Sequence, residues 1–126
     1  MVVKKDIRSL SIDQLKEILE ENSFQSFRAK QIYHWLWKKS SHDFSSMRNL
    51  PKELLTFLEN NFVIRNIEIS KLQKSKDGTI KNAIKLFDDL IVECVLIPSK
   101  DRITACVSSQ VGCSLNCKFC ATARLK

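Results

Sequence analysis

The hydrophobic pattern of this chain changes period once, near Phe62, and that change limits what it can fold into. Before it, apolar residues recur three and four positions apart, as on one face of a helix. After it, apolar and polar residues alternate, as on a half-covered strand. Helices come first and strands afterwards, so the expected class is α+β.

The helical part resolves into three segments. "SIDQLKEILEEN" starts at Ser11 with Gln14 three residues on, the signature of a capping box. Ile12, Leu15, Ile18 and Leu19 supply its apolar stripe. "SFRAKQIYHWLWKK" is a second helix with Ser26 as the expected cap. Its inner face is Ala29, Ile32, Tyr33 and Leu36, flanked by Trp35 and Trp37. "SSHDFSSMRNL" is expected to be a linker with at most a short helical turn. "LPKELLTFLENNF" is the third helix, with Pro51 at a favourable early position and Leu54, Leu55 and Leu58 buried.

The second half reads as an antiparallel meander. "VIRNIEISKLQKS" and "TIKNAIKLF" are strands joined at Asp77-Gly78, a hairpin signal. Asp88-Asp89 marks a second turn, and "LIVECVLIP" is a dense apolar strand ending at Pro98. "SKD" makes a third turn before "RITACVSSQV", a fourth strand leading into a cysteine-rich loop. The expected division is a helical domain at 1–61, a β-meander at 62–101 and a further unit beginning at 102. Internal repeats and low-complexity tracts are absent.

Charge and cysteine content narrow the function. The 126 residues carry 21 Lys and Arg against 14 Asp and Glu, a net charge of +7. That surplus suits an anionic partner, nucleic acid first. Five cysteines, an odd number, argue against a complete disulfide framework. The first ten residues hold no apolar signal region, and no segment approaches the roughly 18 apolar residues of a membrane span. A cytoplasmic protein with reduced thiols and no membrane partner is expected.

"VGCSLNCKFC" places Cys113, Cys117 and Cys120 in a C-x3-C-x2-C spacing. Soft thiolates suit zinc or an iron–sulfur cluster. A structural zinc site closes with four ligands, and here Cys106 or Cys94 would have to be the fourth. Three cysteines without a fourth fit a [4Fe–4S] cluster with one iron open to a substrate or cofactor. Phe119, beside the last ligand, is placed to shield such a cluster from water. Glu93 interrupts an apolar run of Ile91, Val92, Val95 and Leu96. A carboxylate so placed is paired, protonated or functional, unless the strand simply turns it to water. Desolvation there would favour proton transfer. Cys94 neighbours Glu93 on the opposite strand face and reads as core.

C-x3-C-x2-C with an aromatic residue before the last cysteine resembles the signature of radical S-adenosylmethionine enzymes. "ACVSSQVGCSLNCKFCAT" resembles the cluster loop of the bacterial adenine-C2 RNA methyltransferases. "FRAKQIYHWLW" is similar to the helix of their N-terminal RNA-binding domain. "DGTIKNAIKLFDD" and "IVECVLIP" are similar to their β-meander. The ending "ATARLK" departs by Ala123, where many relatives carry glycine.

The resemblance implies methylation of adenosine C2 in 23S ribosomal RNA and in transfer RNA. It implies a [4Fe–4S] cluster on Cys113, Cys117 and Cys120, and S-adenosylmethionine completing the open iron. Glu93 matches the family's proton acceptor. Cys106 matches a cysteine that helps release product through a transient disulfide with a second, methyl-carrying cysteine. That second cysteine and the Gly-Glu motif for S-adenosylmethionine are not in these 126 residues. The resemblance therefore implies an inactive piece of a longer enzyme, with 102–126 opening a radical-SAM (β/α) barrel. An electron donor such as flavodoxin and a monomeric state are expected with it.

Arg28, Lys30, Lys38 and Lys39 flank the Tyr33, Trp35 and Trp37 cluster, a pairing of phosphate contact with aromatic stacking that suits RNA. Lys71, Lys74, Lys76 and Lys81 offer the same around the first hairpin. His34 and His42 stand too far from other ligands to hold a metal. The competing reading of the whole chain is a small basic RNA-binding module with a structural zinc.

Overall fold

The computed structural model describes residues 3–121 and divides into two units, one ending at Arg65 and the next starting at Asn66. Ala123 and the rest of "TARLK" lie outside the described residues.

The first unit is built on three helices. Helix α1 (Ile12–Glu21) carries the expected capping box: Gln14 N–H donates to Ser11 Oγ at 3.1 Å, and Ser11 N–H donates to Gln14 Oε1 at 2.9 Å. Helix α2 (Arg28–Tyr33) passes into a π-helical turn (His34–Lys38). Its N-cap is Phe27, with no side-chain capping bond, so Ser26 does not cap it as expected. The backbone there is already helical, and Ala29 N–H donates to the Ser26 carbonyl rather than to its hydroxyl. Helix α3 (Lys52–Asn61) follows Pro51, which sits at the N-cap itself.

Fourteen buried apolar residues form one core, with Ile7, Leu15, Leu19, Ile32, Met47, Leu54 and Leu58 among those sealed from solvent. Burial of this kind is worth roughly 1.5–3 kcal/mol per large side chain. The segment expected to be a linker contributes Phe44, Met47 and Leu50 to that core. It is irregular in backbone but not peripheral.

The chain ends of this unit are tied by polar contacts. A two-residue strand β1 (Lys5–Asp6) pairs in parallel with β2 (Phe62–Val63). The Arg8 guanidinium donates to the carbonyls of Arg65 and Ser41 at 3.0 and 2.9 Å. Phe62 and Ile64 are core residues, so the change of hydrophobic period at Phe62 precedes the structural boundary by a few residues.

The second unit is a four-stranded antiparallel sheet in sequence order, β3 (Glu68–Lys74), β4 (Ile80–Lys85), β5 (Ile91–Pro98) and β6 (Ile103–Val107). The β3–β4 turn uses Gly78 at φ +89°, as the Asp-Gly signal implies. The β4–β5 turn places Asp89 at φ +64°, and the Lys85 ammonium grips its carboxylate at 2.7 Å. The ladder registers give the sheet two distinct faces. One carries Ile69, Leu72, Ile84, Val92, Leu96 and Ile103; the other carries Lys71, Lys81, Glu93, Val95 and Cys106. Val92 is the one buried apolar residue of this unit among those described.

Candidate functional site

Glu93 stands near the start of β5, across from Ala83 of β4. Lys81 is two residues before Ala83 and therefore projects from the same face. Its ammonium meets Glu93 Oε1 at 2.9 Å, a diagonal cross-strand ion pair. The Glu93 side chain is 59% exposed. Of the settings its apolar sequence neighbours leave open, the structure shows the paired and water-facing one rather than the desolvated one. Val92 and Cys94 belong to the opposite face, so adjacency along the chain does not surround the carboxylate.

The same register brings in Cys106. It pairs with Val95, two residues beyond Glu93, which makes Cys106 and Glu93 diagonal neighbours on one face. Such positions lie about 7–8 Å apart between backbones. Cys106 is exposed. Cys94 occupies the other face, opposite Asn82 and Val107, and is half-buried rather than fully in a core.

At the end of β6 the Ser108 hydroxyl donates to the Glu93 carbonyl at 2.6 Å. This bond pins the entry of the cysteine loop to the strand that carries Glu93. A small open cleft of about 70 Å3 results, lined by Glu93, Ser108, Val111 and Gly112 together with Ile91 and Val92. Neither Lys81 as a partner of the carboxylate nor Ser108 as a tether was evident in the sequence, since both depend on strand register.

The loop itself turns on two left-handed residues, Gly112 at φ +69° and Asn116 at φ +50°, each just before a cysteine. Cys120 N–H closes a further turn on the Cys117 carbonyl at 3.1 Å. Cys113, Cys117 and Cys120 are half-buried, while Ser114, Leu115, Asn116 and Lys118 between them are exposed. Phe119 is 93% exposed and shields nothing among the described residues. The donor chemistry fits a thiolate-held cluster. However, no three potential ligands converge in metal-binding geometry among the described residues, and no disulfide is present.

The basic and aromatic residues of the first unit separate into two groups. Arg28 is engaged within the fold: it lies 4.7 Å over the Phe27 ring and donates to Gln31 Oε1 at 2.8 Å. Tyr33 donates its hydroxyl to the Leu10 carbonyl, and Trp35 donates its indole N–H to Asn49 Oδ1. Both rings pack against the core. Lys30, Lys38, Lys39 and Trp37 are exposed. Around the first hairpin, Lys71, Lys74 and Lys76 are exposed too.

Residues 5–64 match a family model described as the ribosomal RNA large subunit methyltransferase N-terminal domain. A relative from Flavobacterium johnsoniae, named "Probable dual-specificity RNA methyltransferase RlmN", is 56% identical over 99% of this chain and 36% of its own length. The chain belongs to the RlmN family. It corresponds to the N-terminal portion of RlmN proteins and spans about a third of the length of the curated relatives it matches. The dual-specificity RNA methyltransferase RlmN of Aliarcobacter butzleri is 44% identical over 94% of the chain and 35% of its own length. Among solved structures, a radical SAM methyltransferase from Sphaerobacter thermophilus is similar with a TM-score of 0.78 and 34% identity. The match covers 94% of this chain and 35% of that one. RlmN relatives are thus RNA methyltransferases by name, and the structural relative is of radical SAM type.

Proposed function

We propose that this chain is the N-terminal part of a radical-SAM enzyme that methylates C2 of adenosine in 23S ribosomal RNA and transfer RNA. One observation carries the reading. The sheet register places Glu93 and Cys106 side by side on one face, and Glu93 shares a cleft with the entry of the cysteine loop. β5, β6 and the loop after β6 thereby bring these residues to one end of the sheet.

On this reading Cys113, Cys117 and Cys120 hold a [4Fe–4S] cluster, which supplies radical chemistry together with S-adenosylmethionine when bound. The Glu93 carboxylate accepts a proton. Lys81 engages its Oε1 and leaves Oε2 open to an incoming base. The Cys106 thiolate helps release the methylated product by abstracting a proton and then, deprotonated again, attacking the sulfur of a methyl-carrying cysteine outside these residues. A transient S–S bond forms as that sulfur's bond to the adduct carbon breaks, and the electron pair stays on the carbon, which takes up a proton to become the product methyl. Exposure of both side chains is what such work requires.

The helical unit acts as an RNA-binding accessory domain through Lys30, Lys38 and Lys39, with Arg28 the least available of the four cations. The meander leads into a barrel that residues 102–126 open. The enzyme works as a cytoplasmic monomer fed by an electron donor such as flavodoxin. None of the helices described is long and apolar enough to cross a membrane.

The test is a chimera in which this chain replaces the matching N-terminal third of the Flavobacterium johnsoniae relative. The chimera methylates adenosine C2 in ribosomal and transfer RNA. Glu93→Gln and Cys106→Ser each lower its rate by roughly 100-fold or more, the range of lost acid–base catalysis. A chimera unaffected by both substitutions would overturn the assignment. The 126 residues alone, given S-adenosylmethionine and a reductant, leave RNA unmethylated.

A further inference from the structure

Two of the three aromatic rings on the second helix have structural work, and the third does not. Tyr33 and Trp35 each spend their polar atom on a bond inside the first unit and pack against its core. Trp37 is 56% exposed and lies between the buried Leu36 and the exposed Lys38 and Lys39. It sits in a π-helical turn closed by Lys39 N–H on the His34 carbonyl at 3.0 Å, followed by Ser40 at φ +50°. π-turns are rare and recur at functional sites. His34, one turn earlier, and Lys30, two turns earlier on the same helix, are exposed as well. The result is an exposed apolar ring on a segment whose exposed neighbours include three lysines.

A lone exposed tryptophan can be incidental. An exposed indole on a segment that also exposes Lys30, Lys38 and Lys39, however, offers the two chemistries that hold a single-stranded nucleic acid: a platform for a base and charges for the phosphates beside it. A sugar would also stack on the ring but would not use the cations, and an acidic peptide would use the cations but not the ring.

We infer that Trp37 is the base-stacking platform of the helical unit, taking one unstacked RNA base, with Lys38 and Lys39 on the adjoining phosphates. This inference rests on the RNA reading above and adds the residue that carries it.

The two tryptophans of the chain make the test direct. A fluorescein-labelled single-stranded RNA of mixed sequence is titrated into the full 126-residue chain, and binding is read by anisotropy. Unlabelled RNA is titrated in parallel and read by tryptophan emission. RNA quenches the wild-type emission. It fails to quench Trp37→Phe, in which Trp35 is the remaining emitter. Trp37→Ala weakens RNA binding about tenfold, and Trp37→Phe restores most of it. Heparin, a polyanion without bases, binds wild type and Trp37→Ala alike. Replacing Lys38 and Lys39 by alanine flattens the salt dependence of RNA binding, by roughly 1.4 in the log–log slope.

Absence of any RNA binding by the chain would overturn both this inference and the RNA-binding role of the unit. RNA binding unchanged in Trp37→Ala would overturn the stacking inference and leave that role standing. An equal loss of heparin binding in Trp37→Ala would show that the ring does not act by stacking, and would overturn it too.

Discussion

The helical unit and the sheet unit solve opposite problems with similar numbers of residues. The first gathers fourteen apolar side chains into a sealed core and seals its chain ends with Arg8. Among its described residues the second buries one apolar side chain, Val92, and leaves Ile69, Leu72, Leu96, Ile103 and Val107 more than a third exposed. Its order comes from ladder hydrogen bonds and tight turns rather than from packing. The unit that carries Glu93 and all five cysteines is therefore the one with the smaller buried core. Functional segments are commonly drawn from that low-stability end of a fold.

Substitution in the two units breaks or sharpens this contrast. Leu54→Ala, at a sealed position between helices, lowers the stability of the helical unit by about 2–5 kcal/mol. Leu72→Ala, on the exposed sheet face, changes stability by no more than about 0.5 kcal/mol. Urea titrations followed by tryptophan emission report the helical unit, since both tryptophans lie there, and amide exchange along β3–β5 reports the sheet unit. A large cost for Leu72→Ala would mean that the sheet face is packed after all.

A smaller effect is expected at the hairpin tip. Gly78→Ala forces a side chain into φ +89°, and its Cβ would meet Pro98 Cγ at 3.2 Å. The cost is about 1 kcal/mol, read as faster amide exchange across the β3–β4 turn. The Lys81–Glu93 pair is mostly solvated, so Lys81→Met costs at most about 1 kcal/mol of stability.

The smallest effect is a pH dependence confined to the turns. The Thr79 amide and hydroxyl hold the Asp77 carboxyl below the usual value of 3.8. The Lys85 ammonium does the same for Asp89, first by its hydrogen bond and then by its charge. Groups depressed in this way add stability above pH 3.8, and that stability fades as the pH falls through their lowered values. The Thr79 amide resonance follows this titration in the wild type and loses it in Asp77→Asn.

Much of this was legible in the residues, because the signals were local. Ser11 and Gln14 lie one turn apart, so a capping box can be read directly. Asp77-Gly78 states its own turn. Ser26 misled because an N-cap depends on the path of the chain before the helix, and here Phe27 is already helical. Phe44, Met47 and Leu50 were missed because an irregular segment has no period to reveal its inner side. For Glu93 the sequence leaves a desolvated and a water-facing setting both open for a related reason: Val92 and Cys94 adjoin it in sequence, and only the strand geometry turns them the other way. Its partners Lys81 and Cys106 come from neighbouring strands, and only the register brings them alongside. The three loop cysteines are plain from spacing, but among the described residues they do not converge on a metal-binding geometry.

The central claim is that Cys113, Cys117 and Cys120 are cluster ligands in a loop whose entry shares a cleft with Glu93. Anaerobic reconstitution of the chain with iron and sulfide, followed by metal analysis and visible absorbance, tests it most directly. The account predicts a brown protein with about four irons per chain, a colour lost in Cys113→Ala, Cys117→Ala or Cys120→Ala and kept in Cys106→Ser. A colourless protein that instead holds one tightly bound zinc, released by Cys106→Ser as well, would contradict it.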